Sequence, residues 1–267
     1  MYRYLHVGSV RLAWKDFGGE GPAVLRLHGL FGRATTWEGT AAWLRPHFRV
    51  VGLDQRGHGL SDKPDGAYSR DDYVDDAVAV IEALRLQPAI VIGHSMGALN
   101  AWVLAARRPD LVRALVLEDM TAATARPDPG AWVRDWLSDW PLPFSSMAHM
   151  RAYFGQPALA DYFSEVMAED ETGYHPRFRI EHMVEASVQI ESRDHWEELD
   201  QVRCPTLVVR GAESEYRRED LQAMAARIPG GRFVEVPQAG HVVHYDQPVA
   251  WGVAVEPFLL EVKAGRP

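Results

Sequence analysis

The side chains best suited to covalent chemistry in this 267-residue sequence are one serine set among glycines and a late histidine that could serve it as a base. Gly93-His94-Ser95-Met96-Gly97 puts Ser95 in a G-x-S-x-G pattern, directly after the apolar run Ala89-Ile90-Val91-Ile92 and directly before an alanine-rich segment of helical character. In that setting the pattern has a mechanism. Glycines permit a sharp strand-to-helix turn that presents the hydroxyl at the strand end, and the helix start offers unpaired N–H groups and positive potential. Ser95 is therefore the candidate nucleophile, and His94 is read as filling the x position without handling protons.

A serine hydroxyl attacks poorly until a base takes its proton. Of eleven histidines, His241 follows Gly240 in a loop just past the last apolar run, which places it at the same sheet edge as Ser95; His244 is the runner-up. His58, in Arg56-Gly57-His58-Gly59, reads as part of a turn. His149, His175, His182 and His195 lack metal-ligand spacing and no H-E-x-x-H is present, so the pattern calls for no metal or other cofactor. His28-Gly29-Leu30-Phe31-Gly32 follows the run ending at Leu27. A turn there could aim the Leu30 amide, with Phe31 as the neighbouring choice, at the point reached by the Met96 amide, giving an oxyanion hole for acyl transfer.

These residues need a scaffold that brings strand ends together. Residues 3–7 and 10–17 read as a hairpin about Gly8-Ser9, followed by strands at 23–27 and 49–53. Ser69 with Asp72 makes a capping box ahead of Val74, Ala77, Val78, Ile81 and Leu84 at helical spacing. A strand at 89–92, a helix from Met96 to Arg108 stopped by Pro109, and strands at 114–117, 206–209 and 232–236 complete an alternation that implies parallel β-α-β units with helices on both faces. Residues 121–200 break this rhythm with six prolines, four tryptophans, helix-like pieces and no evident strand. They are read as a helical cap inserted into a body formed by residues 1–120 and 201–267. Trp132, Trp136 and Trp140, at i, i+4 and i+8, form a helical stripe that packs the cap on the body or walls the substrate site.

Taken together, the turn at His28–Gly32, Asp54-Gln55-Arg56-Gly57-His58-Gly59-Leu60-Ser61, the Ser95 pentapeptide and Gly240-His241, in this order, resemble the α/β-hydrolase superfamily over essentially the whole chain. The resemblance implies an eight-stranded, mostly parallel sheet, a helical cap after the sixth strand and a cofactor-free Ser-acid-His triad. The acid departs from the commoner pattern. Many members carry it three residues beyond a glycine after the seventh strand, where this chain has Ser214 in Gly211-Ala212-Glu213-Ser214-Glu215. Asp119, 24 residues after Ser95 at the end of the sixth strand, resembles the acid of other branches and is preferred, with Glu215 and Glu213 as alternatives.

Composition bounds the function. The chain is 47% hydrophobic and 24% charged, with a net charge of −9, which argues against nucleic acid or anionic lipid as partner. The acidic excess falls wholly in residues 121–200, with 15 acidic and 6 basic residues, whereas the rest carries 22 of each. If those carboxylates face the entrance they disfavour anionic substrates; otherwise they form a solvated outer face. One cysteine, Cys204, and no signal-peptide or bilayer-length apolar run lead to the expectation of a soluble cytoplasmic protein, with its oligomeric state open. A serine nucleophile argues against dehalogenase or epoxide hydrolase chemistry, which needs an aspartate. The leading reading is hydrolysis of a small-molecule ester or lactone; carbon–carbon bond hydrolysis, cofactor-free perhydrolysis and a triad-bearing small-molecule receptor are the alternatives.

Overall fold

The computed structural model describes residues 1–265. Strands β1 (Tyr2–Val7) and β2 (Val10–Gly18) pair antiparallel across a turn where Gly8 has φ 56°. β2 lies antiparallel to β4 (Arg49–Asp54). From there the sheet is parallel through β3 (Ala23–Leu27), β5 (Ala89–His94), β6 (Val112–Glu118), β9 (Thr206–Gly211) and β10 (Arg232–Val236). Its eight strands run in the order β1-β2-β4-β3-β5-β6-β9-β10.

Strand alternation divides the core into two layers. Leu25, Leu27, Val91, Leu115 and Leu117 face the helices α2 (Arg70–Ala83), α3 (Met96–Arg107) and α9 (Arg218–Arg227). Val24, Ile90, Ile92, Ala114 and Val116 face α1 (Glu38–Leu44) and α11 (Pro248–Lys263). All six residues of β5 are buried, which explains a continuous apolar run in place of alternation. The capping box predicted at the start of α2 is present: Ser69 accepts the Asp72 N–H, and the Asp72 carboxylate accepts the Ser69 N–H. α11 is apolar nearly all round, so no single stripe marks its buried face in the sequence.

Between β6 and β9 the chain forms α4 (Ala131–Ser138), α5 (Met147–Phe154), α6 (Pro157–Val166), α7 (Ile180–Glu191) and α8 (Trp196–Leu199). The expectation of no strand here needs correction: β7 (Met167–Asp170) and β8 (Gly173–Pro176) make an antiparallel hairpin. Its cause is local. Asp170 Oδ1 accepts the Thr172 N–H at 2.8 Å and the Thr172 hydroxyl at 2.6 Å, and Gly173 takes φ 138° where a Cβ would meet the Phe144 carbonyl at 2.6 Å. Four-residue, half-exposed strands carry no period to read. A final short helix, α10 (Val243–Asp246), follows β10. No helix among the described residues is long and apolar enough to cross a membrane.

Candidate active site

Ser95 sits at the turn between β5 and α3 with φ 50° and ψ −121°, a conformation that non-glycine residues adopt only when their surroundings force it. Two close approaches supply the force. A Cβ on Gly93 would lie 2.2 Å from the Gly97 carbonyl oxygen, and one on Gly97 would lie 2.2 Å from that of Leu27. Bare backbone at both positions lets α3 start against the end of β3. The Ser95 N–H donates to the Glu118 carbonyl at 2.9 Å, and the Ser95 carbonyl accepts the Ala98 N–H at 2.8 Å.

The turn after β3 faces this elbow. Gly29 is so close that a Cβ there would meet His94 Nδ1 at 2.7 Å. Its carbonyl accepts from Gly32 N at 2.9 Å and from His28 Nδ1 at 2.7 Å, and the Gln55 N–H donates to His28 Nε2 at 3.0 Å, which sets the tautomer. Burial holds His28 neutral, well below the ordinary imidazole range, with nearby His58 acting in the same direction. Behind it Asn100 donates to Gln55 at 2.7 Å, Gln55 donates to the His28 carbonyl at 2.8 Å, and Arg70 donates to Asn100. His58, read from sequence as turn chemistry, also bonds the Leu30 carbonyl. The Gly29–Leu30 peptide is thus fixed from its carbonyl side. The Leu30 N–H, like that of Met96, has no hydrogen-bond partner among the described residues.

Asp119 follows β6 with φ 46° and is fully buried. Its Oδ1 accepts the Gly211 N–H at 3.0 Å; its Oδ2 accepts the Ser214 hydroxyl at 2.6 Å and His241 Nδ1 at 2.8 Å. His241 lies between β10 and α10, with about a third of its side chain exposed at 34%. Enclosure lowers its pKa, but the hydrogen bond and charge of Asp119, with Glu215 and Glu118 adding, outweigh that and hold it above the ordinary value. Bonding through Nδ1 leaves Nε2 free for a proton, and no direct hydrogen bond joins Ser95 Oγ to His241 among the described residues. Glu215 is exposed and lines the cavity on which Ser95 and His241 open, Glu213 is exposed and does not line it, and neither bonds His241. His244 is buried behind the site with Nδ1 at 2.6 Å from Glu118 Oε1. His94 Nε2 donates to the His241 carbonyl at 2.9 Å, so the residue taken as filler ties the elbow to the histidine loop. Ser214, unassigned from sequence, contacts Asp119; its position three beyond Gly211 was the available signal.

Ser95 and His241 open on a cavity of about 660 Å³. Leu30, Phe31 and Met120 contribute from the sheet side, and Trp132, Trp136, Tyr162 and Phe163 from the segment between β6 and β9. Trp132 and Trp136 lie on α4, but the helix ends at Ser138, so the expected stripe breaks at Trp140. Trp140 instead packs against Phe154 and Phe163, with centroids 5.1 and 5.2 Å away. Of the acidic residues in 121–200, Asp128 and Glu191 line the cavity, beside Arg126. Glu191 is engaged by the Gly130 N–H and Trp132 Nε1, each at 2.6 Å. Most of the acidic excess therefore lies on surfaces away from the cavity. No cluster of three or more potential metal ligands occurs among the described residues.

This sheet order, with a strained serine at the β5–α3 turn, defines the class of an α/β hydrolase. The sequence model for the alpha/beta hydrolase fold matches residues 22–248, and the chain belongs to that family. It is 30% identical to the 2-(acetamidomethylene)succinate hydrolase of Mesorhizobium japonicum, covering 92% of this chain and 90% of that protein. It is 31% identical to an sn-1-specific diacylglycerol lipase of Mus musculus, covering 89% and 81%. Among solved structures it resembles E-2-(acetamidomethylene)succinate hydrolase, with a TM-score of 0.88 and 28% identity over 97% and 98% of the chains. The enol-lactonase from Burkholderia xenovorans LB400 follows the same fold, with a TM-score of 0.79 and 25% identity over 97% and 100%.

Proposed function

We propose that this protein is a serine hydrolase that cleaves a carboxylic ester or lactone of a small organic molecule through an acyl-enzyme intermediate. The observation that carries the reading is the 2.8 Å contact between Asp119 Oδ2 and the Nδ1 of His241, which lines the same cavity as Ser95. His241 Nε2 takes the Ser95 proton as Oγ attacks the carbonyl, and the amides of Leu30 and Met96 receive the developing oxyanion. His241 then protonates the leaving oxygen, and water repeats the sequence in reverse roles to release the acid. In this reading residues 121–200 act as a cap over the body formed by residues 1–120 and 201–267. The aromatic walls favour an apolar substrate portion, and no nucleic acid or membrane partner is called for.

A second substrate class is favoured by one relative. The hydrolase at 30% identity is named for a substrate that carries an acetamido group on an unsaturated succinate, and the same machinery can cleave an amide. The test is a screen of short p-nitrophenyl esters, lactones and acetamido acids against the protein and its Ser95→Ala variant, with fluorophosphonate labelling of Ser95. Steady turnover lost in Ser95→Ala supports the proposal. Ligand binding with at most one slow turnover would point to a receptor and overturn it.

A further inference from the structure

The loop after β9 places a hydroxyl where the commoner family pattern has its acid. Ser214 Oγ lies 2.6 Å from Asp119 Oδ2, the same oxygen that receives His241 Nδ1 at 2.8 Å. The direction of that bond is set by its partners. Ser214 Oγ accepts the Tyr216 N–H at 3.2 Å, and an ionised carboxylate can only accept, so the hydroxyl proton points to Asp119. The loop is held by one side chain: the buried Arg210 guanidinium donates to the carbonyls of Ala212 at 3.1 Å, Ser214 at 3.0 Å and Tyr216 at 2.9 Å, and to Glu235 at 2.8 Å. Backbone carbonyls on either side of Ser214, and its own, are therefore fixed from within.

We infer that Ser214 is a positioning residue for the Asp119–His241 pair: its hydroxyl holds Oδ2 in place and shares that oxygen's charge, which sets how strongly Asp119 grips the imidazolium. The kinetic consequence rests on the serine-hydrolase reading; the effect on His241 does not. A donor on a carboxylate stabilises the anion and draws charge from the competing bond. Without it Oδ2 keeps more of the carboxylate's charge for the imidazolium and raises the proton affinity of His241, while the orientation of the carboxylate loosens. The other titratable groups around His241 are Glu118, Glu215, Asp246, His94, His244 and Tyr216; Ser214→Ala removes none of them, and of these only Tyr216 loses a bond, from its backbone N–H, while its carbonyl stays held by Arg210.

The experiment is an NMR titration of the His241 imidazole in the full chain without substrate, with the resonance assigned by its loss in His241→Gln. Ser214→Ala is expected to raise the His241 midpoint by about half to one pH unit, and Ser214→Thr, which keeps the hydroxyl, to restore it. With a working ester substrate the acid limb of kcat/KM moves to higher pH by the same amount, and kcat falls roughly tenfold. An unchanged His241 midpoint in Ser214→Ala, with only a lower Tm, overturns the inference and leaves the hydroxyl a passive filler of a lone pair. If Ser214→Ala does not fold, Ser214→Cys, a weaker donor, is expected to give an intermediate shift, and a wild-type midpoint there overturns the inference equally. Ester turnover that survives in Ser95→Ala sinks the hydrolase reading, whereas the titration still decides Ser214.

Discussion

Asp119 Oδ2 and His241 Nδ1 meet at 2.8 Å although 122 residues separate them in the chain. The meeting depends on Asp119 taking φ 46° at the end of β6, which turns its carboxylate toward the loop after β10. Replacing the carboxylate by an amide removes the charge and permits the wrong imidazole tautomer. In Asp119→Asn kcat is expected to fall by about 10³ to 10⁴, and in Glu215→Gln, which has no bond to the ring, by no more than a few-fold. Steady-state kinetics on the same ester decides it: near-normal turnover in Asp119→Asn with a large loss in Glu215→Gln would exclude Asp119 as the acid.

The pH profile follows from the sign of the His241 shift. The ring must be neutral to accept the Ser95 proton, so kcat/KM rises as pH passes upward through its pKa. Enclosure pulls that pKa down, the bond and charge of Asp119 push it up more, and the net lies above the ordinary 6.5. The acid limb of wild-type kcat/KM is therefore expected above pH 6.5. In Asp119→Asn the upward push is gone while enclosure stays, so the limb in the residual activity should move to lower pH. A limb that stays put would show that Asp119 does not act on His241.

The two tryptophans on α4 and the one beyond it predict opposite outcomes. Trp136 lines the cavity, and Trp140 is packed among Phe144, Phe154 and Phe163. Trp140→Ala empties an aromatic cluster and is expected to cost roughly 3–5 kcal/mol of stability by urea melts. Trp136→Ala widens the cavity, so the ratio of kcat/KM for long against short acyl esters should rise several-fold with a smaller loss of stability. An unchanged chain-length preference would mean that Trp136 does not wall the acyl site.

What the sequence made legible was whatever repeats or is constrained locally. The buried runs of β5 and β6 and the capping box at Ser69 follow from propensity and period, and the glycines around Ser95 follow from a steric need that a Cβ would violate. Asp119 was readable as a strand-end carboxylate, but its bond to Ser214 depends on the distance between two loops that no local pattern encodes. The β7–β8 hairpin escaped because an Asx turn, not alternation, makes it. The acidic surplus of residues 121–200 was countable but not orientable, since charge carries no period that says which side of a helix meets a cavity. Glu118, His244 and the buried Arg26, whose guanidinium lies near both, were invisible as a group for the same reason as Ser214.

That buried group gives the last prediction. Glu118 is fully buried; its Oε1 lies 2.6 Å from His244 Nδ1 and its Oε2 accepts Trp251 Nε1 at 2.8 Å. His244 stacks on Trp37 with centroids 3.9 Å apart, and burial keeps it neutral, well below the ordinary range. Burial pushes the Glu118 carboxyl up from 4.5 to about 7. A carboxyl whose folded pKa is raised favours the folded state below its unfolded pKa, and that advantage fades as pH rises through the folded value. Protonated Glu118 can donate to neutral His244 Nδ1 and accept from Trp251; a glutamine amide keeps both bonds and gives up only the long 3.3 Å bond that Oε1 accepts from the His244 N–H. Glu118→Gln should therefore match wild type near pH 5 to within about 1 kcal/mol. By pH 8 wild type must hold a buried charge that the variant lacks, and the variant should be the more stable by about 2 kcal/mol. Urea unfolding of both proteins at the two pH values measures the difference, and a gap that does not change with pH would mean that Glu118 is ionised throughout, held so by the nearby Arg26 guanidinium.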